Sequence, residues 1–142
     1  MALILDIADA VAAELNAGDF SMPVTAERTY VPRFDLEQMD VLRVTVVPRS
    51  VEVGIESRAR HRHDYRVDVG VQRKFEAEQA TELDPLMELV EEMADHFRGL
   101  VVDTEPEATC IEVANGPIYA QEHMREGRLF TSILTLTFRT WR

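Results

Sequence analysis

The chain has 142 residues, 46% of them hydrophobic, and 26 acidic side chains against 15 basic ones give a formal net charge of −11. That size and balance predict one soluble globular domain spanning residues 1–142, with a real hydrophobic core. They exclude a transmembrane helix, which needs about 20 consecutive apolar residues; a disulfide scaffold, since Cys110 is the lone cysteine; and a general nucleic-acid binder, since the net charge repels phosphate.

Met1–Leu5 is apolar but has no basic residue before it and meets Asp6 at once, so it fails as a secretory signal and an intracellular protein is expected. Over residues 2–16, Ile4, Ile7, Ala8, Val11 and Leu15 recur at spacings of three and four with Asp6, Asp9 and Glu14 between them. This predicts an amphipathic helix that stops at Asn16-Ala-Gly-Asp19. β-branched and aromatic residues from Val24 to Val31 predict a strand limited by Pro32.

Three segments then alternate with period two: Leu42, Val44, Val46; Val51, Val53, Ile55; and Tyr65, Val67, Val69, Val71. Each reads as a strand with one buried face. Val47-Pro-Arg-Ser50 suits either a hairpin or a bend within one long ribbon. Ser57-Arg-Ala-Arg-His-Arg-His-Asp64 is almost wholly charged and reads as an exposed hairpin tip. Gly70, inside Val67-Asp-Val-Gly-Val71, reads as a strand position that permits close packing.

A second helix follows. Leu86, Leu89, Val90, Met93 and Phe97 share a face, Thr81 and Asp84 offer capping oxygens, Pro85 suits a first turn, and Gly99 closes it. Glu88, Glu91, Glu92 and Asp95 fall on its solvated side. Thr109–Val113 predicts a strand broken by Asn115-Gly-Pro117. Leu129–Trp141 alternates most clearly, with Phe130, Leu134, Leu136 and Phe138 on one side; Ile118–His123 is a candidate antiparallel partner for it. The order predicts an α+β fold, a largely antiparallel or mixed sheet with two helices on one face.

Catalytic chemistry has little to stand on. His61-Arg-His63-Asp64 holds ligand-type atoms, and in a strand the two imidazoles would point the same way, but Arg60 and Arg62 repel a divalent cation and no third ligand follows from spacing. Cys110 sits in a strand-like run, where a buried small residue is the commoner role. No phosphate loop, dinucleotide fingerprint or serine elbow is present. A metal and a cofactor are therefore not expected.

Charge is more informative. Arg43, Arg49, Arg58, Arg60, Arg62, Arg66, Arg73 and Lys74 all lie between residues 43 and 74, whereas residues 76–112 hold twelve acidic residues and one basic residue, Arg98. Such asymmetry suits self-assembly in which the basic part of one copy meets the acidic part of the next. Two independently solvated surfaces would look the same.

The order and texture resemble a tailed-bacteriophage tail terminator, a head–tail joining protein. The resemblance lies in the opening helix Ile4-Leu-Asp-Ile-Ala-Asp-Ala-Val-Ala-Ala-Glu-Leu15, a strand ending in proline, and a β-hairpin. It continues in the return strand His63-Asp-Tyr-Arg-Val-Asp-Val-Gly-Val-Gln-Arg-Lys-Phe75, the helix Leu83–Phe97 and the terminal strand Phe130-Thr-Ser-Ile-Leu-Thr-Leu-Thr-Phe138. It implies a non-enzymatic protein without cofactor that forms a ring, commonly a hexamer, at the head-proximal end of the tail tube. Its partners would be other copies of itself, the tail tube protein and the head connector. DNA would pass without being bound, and the protein would be found in the host cytoplasm and then the virion tail. Arg58, Arg60 and Arg62 meeting Glu88, Glu91, Glu92 and Asp95 are the candidate subunit contact. The competing expectation is a small enzyme or ligand-binding domain with a site near His61, His63 and Asp64.

Overall fold

The computed structural model describes residues 2–30, 42–76, 80–116, 122, 124 and 128–141. In chain order they form α1 (Leu3–Ala17), β1 (Ala26–Arg28), β2 (Arg43–Ile55), β3 (His61–Lys74), α2 (Ala80–Phe97), β4 (Val101–Val102), β5 (Ala108–Asn115) and β6 (Leu129–Trp141). The strands make one sheet ordered β1-β2-β3-β6-β5-β4. Every pairing is antiparallel except β1 with β2, so the sheet is mixed and the fold is α+β.

Helix α1 turns Leu3, Ile7, Ala8, Val11 and Leu15 into the core. The four-residue spacing starts one position earlier than Ile4, which is half-buried. At its end, the Asn16 side chain accepts the Ala26 N–H at 2.7 Å and donates to the Ala26 carbonyl at 3.2 Å, which ties β1 to the helix. The expected strand from Val24 to Val31 shrinks to Ala26–Arg28, with Val31 and Pro32 outside the described residues.

The segments on either side of Pro48 are one strand. Proline has no N–H to give, and the β2–β3 register shifts between Pro48 and Ser50, leaving Arg49 as the extra residue of a bulge. The return strand starts at His61, so the tip is shorter than the charged string: His61–Asp64 belongs to β3, held by β2 on one side and, from Arg62 on, by β6 on the other. Gly70 does permit a close approach, since a Cβ there would lie 3.0 Å from Thr45 Oγ1 across the strands.

Helix α2 begins at Ala80, so Thr81, Asp84 and Pro85 lie inside it and Pro85 falls beyond the first turn. The Glu82 carboxylate accepts the Glu76 N–H at 3.1 Å. Gly99 closes the helix at φ +76°, a left-handed conformation that costs a Cβ-bearing residue about 1–2 kcal/mol. Its N–H bonds the Cys110 carbonyl and Cys110 N–H bonds the Leu100 carbonyl, so the turn delivers the chain onto β5. Strand β4, only Val101–Val102, carries no periodicity and escapes sequence reading. Ile118–His123 lies outside the described residues apart from Glu122, whose backbone is helical; the partners of β6 are β3 and β5.

Both helices cover one face of the sheet. Val67, Val69, Leu134, Leu136 and Phe138 meet Ile7 and Leu15 of α1 and Leu89, Met93 and Phe97 of α2 in a single cluster, all fully buried. Burying each such side chain is worth about 1.5–3 kcal/mol. The helices are joined to each other by His96, bonded to Glu14 at 3.0 Å and packed edge-on against Phe20. The opposite face is polar: Gln72 donates to Thr131, Thr135 donates to Asp68, and Arg139 grips Asp64.

Candidate functional site

Because β2 and β3 outrun the helices, the far half of their hairpin stands clear of the core. Val51, Val53 and Ile55 are 47%, 53% and 78% exposed, so the face expected to be buried there is open. Period-two alternation reports which residues share a face; it cannot report that the covering layer stops short. Ser50 to Ile55 pairs with β3 alone among the described residues, because β1 and the Thr29–Val46 bond guard only the near end of β2.

Alternation also sorts the arginines and histidines. His61 and His63 pair with Ile55 and Val53 on the apolar face, and the His63 ring stacks on Tyr65 at 6.2 Å. Asp64 points to the other face. There Arg139 donates to both its oxygens at 2.8 and 3.1 Å, and Arg62 Nε adds a third cationic contact at 3.7 Å. These hydrogen bonds hold the Asp64 carboxyl below its usual range, against the opposing push of burial. The three ligand-type side chains of His61-Arg-His63-Asp64 are thus split across the sheet, and among the described residues no three His, Cys, Asp or Glu side chains gather to hold a metal ion.

Cys110 is buried on β5, the role expected of a small residue in a strand-like run. Burial pushes its thiol up to about 11, so it stays protonated at neutral pH, the wrong state for a nucleophile.

The arginines of the expected contact differ from one another. Arg62 is bonded to Glu56 at 3.0 Å and its guanidinium lies over Gly54, where a Cβ would fall 2.7 Å from Nη2. It is thus also part of the hairpin's own structure. Arg60 stacks on the Trp141 ring at 4.5 Å, fastening the tip to the end of β6. Arg58 is exposed and has no ion-pair partner among the described residues. Trp141 and Arg139 were invisible as contacts in the sequence, since they come from the far end of the chain.

Glu88, Glu91 and Asp95 are exposed on α2, with Asp95 bonded to Arg98 at 3.0 Å, while Glu92 is committed to Ser21. Next to α2, the β4–β5 side of the sheet adds exposed Asp103, Glu105, Glu107 and Glu112. Val101 and Ile111 are 50% and 44% exposed among them. Ile111 is the extra residue of a second bulge, where the β5–β6 register shifts between Cys110 and Glu112. Strand β4 covers Ala108 and Thr109, and beyond Cys110 the outer edge of β5 is bare among the described residues.

A cleft of about 910 Å³ opens at the other end of β3, lined by Arg73, Lys74 and Arg128 but also by Glu76 and Glu82. The mixed signs favour no single charge of ligand.

No model of a known protein family matches the chain, and no curated protein is significantly similar to it.

Proposed function

We propose that this chain is a non-enzymatic structural protein that works as one copy of a ring, capping the tail tube of a bacteriophage and joining it to the head connector. The observation that carries the reading is the arrangement of the sheet: its β2–β3 side is arginine-rich and apolar, its β5 side is acidic and apolar, and the two lie at opposite ends. Surfaces so placed suit repeated head-to-tail contact between identical copies. The sequence resemblance to tail terminators supplies the tail, the connector and the count of about six copies. DNA passing through such a ring would meet a protein of net charge −11 and would not be gripped.

The alternative of an enzyme or ligand site around His61, His63 and Asp64 loses its geometric support once Asp64 faces away and is neutralised by Arg139. The test is deletion of the gene in the phage or prophage that carries it, with tails viewed by electron microscopy. Tails of abnormal length, or tails without heads, restored by supplying the chain, are expected. Normal, head-joined tails in its absence would overturn the proposal.

A further inference from the structure

The two bare edges share a plan. On each side of the sheet a short strand guards one end of a longer one, a bulge interrupts the longer strand, and among the described residues the remainder has a free row of backbone groups. Unguarded edges of this kind are templates for pairing with another chain. Their side chains are complementary: Val51, Val53 and Ile55 run up to a tip bearing exposed Arg58 and Arg60, while Ile111 follows a loop bearing exposed Asp103, Glu105 and Glu107.

We propose that the edge of β2 from Ser50 to Ile55 in one copy pairs antiparallel with the edge of β5 from Ile111 to Asn115 in the next. Direction follows from charge. The cationic tip comes after Ile55 and the acidic loop comes before Ile111, so only antiparallel pairing brings Arg58 against Glu105 and Glu107 while apolar side chains meet along the strands. A parallel arrangement would set the tip beside Asn115, far from the acids. A second copy is the occupant because both halves of the match lie on one molecule, at opposite ends of its sheet. A contact of this type is heterologous: it leaves a free edge at each end and closes only as a ring. The inference rests on the self-assembly part of the function proposed above and names the contact.

Two populations at the highest attainable concentration test it, one carrying Ile55→Cys and a purification tag, the other Ile111→Cys, treated with a short bis-maleimide. Cys110 is buried, so the native chain is the unreactive control. Crosslinked tagged–untagged heterodimer should exceed either homodimer by about tenfold, a difference of about 1.4 kcal/mol. Ser50→Cys paired with Ile111→Cys should give little product, because antiparallel pairing places those positions at opposite ends of the contact. Arg58→Glu should lower the Ile55–Ile111 yield and Glu105→Arg added to the partner population should restore it. Equal homodimer and heterodimer, Ser50 reacting as well as Ile55, or no crosslink at all would each overturn the pairing. Should either cysteine variant lose its circular-dichroism spectrum, Val53→Cys and Glu112→Cys take their places. A heterodimer from a chain that proves dispensable for tails would leave the contact standing and remove the phage role. Completed tails from a chain that gives no heterodimer would do the reverse.

Discussion

Asp64 shows how far a single residue's neighbours in sequence mislead. Beside His63 it adds a ligand-type oxygen to the two imidazoles, yet one step along a strand turns a side chain to the other face, and there Arg139 binds it through two hydrogen bonds. The alternation that separates it from the histidines was legible; the arginine, 75 residues away, was not. Because Asp64 is more acidic in the folded chain than its ordinary value near 3.8, the pair's stabilisation is complete above that value and is lost as pH falls through the lower, folded one. Asp64→Asn should therefore cost about 1.5–3 kcal/mol at neutral pH. In urea titrations the gap between native chain and variant should narrow once the pH drops below about 4. A gap of constant size from neutral to strongly acid solution would assign the loss to packing instead.

At the scale of elements, long periodic segments were readable and short or unguarded ones were not. Strand β6 and both helices announce themselves because each repeats its pattern over many residues, and the core they form follows from those patterns. Strand β4 offers two residues, too few for any period, and escapes sequence reading; β1 lies inside the strand expected from Val24 to Val31 but keeps only three of its residues, and its parallel pairing with β2 is what makes the sheet mixed. Pro48 was readable as a hairpin or as a bend within one long ribbon; that the ribbon holds, with a bulge at Arg49, depends on the partner strand. The composition of the charged string after Ser57 is that of a loop; what makes half of it strand is pairing with Glu52–Ile55 across the hairpin and with Arg139–Trp141 far along the chain. Hydrogen exchange should find that boundary: rapid at Arg58 and Ala59, slow from His63 onward. Uniformly rapid exchange through Asp64 would show that the hairpin is not formed to its tip.

For the whole molecule, the charge asymmetry along the chain survives folding because sequence neighbours stay spatial neighbours. Residues 43–74 become adjacent strands, and α2 with β4 and β5 gathers most of the acidic run at the other end of the sheet. Strand order, which decides whether those regions face one another or stand apart, could not be read from sequence. Standing apart gives the molecule a dipole along the sheet in addition to its negative monopole, and the two act at different ranges. At low ionic strength the field of the whole molecule reaches far, and two copies of charge −11 repel before their edges can meet. Near 0.1 M salt, where screening sets in over about 10 Å, the distant repulsion fades while a patch still feels the patch it touches. More concentrated salt removes that attraction as well. Association followed by light scattering should consequently be fastest at intermediate ionic strength, and a rate that only rises or only falls with added salt would mean that the charged ends do not steer the encounter.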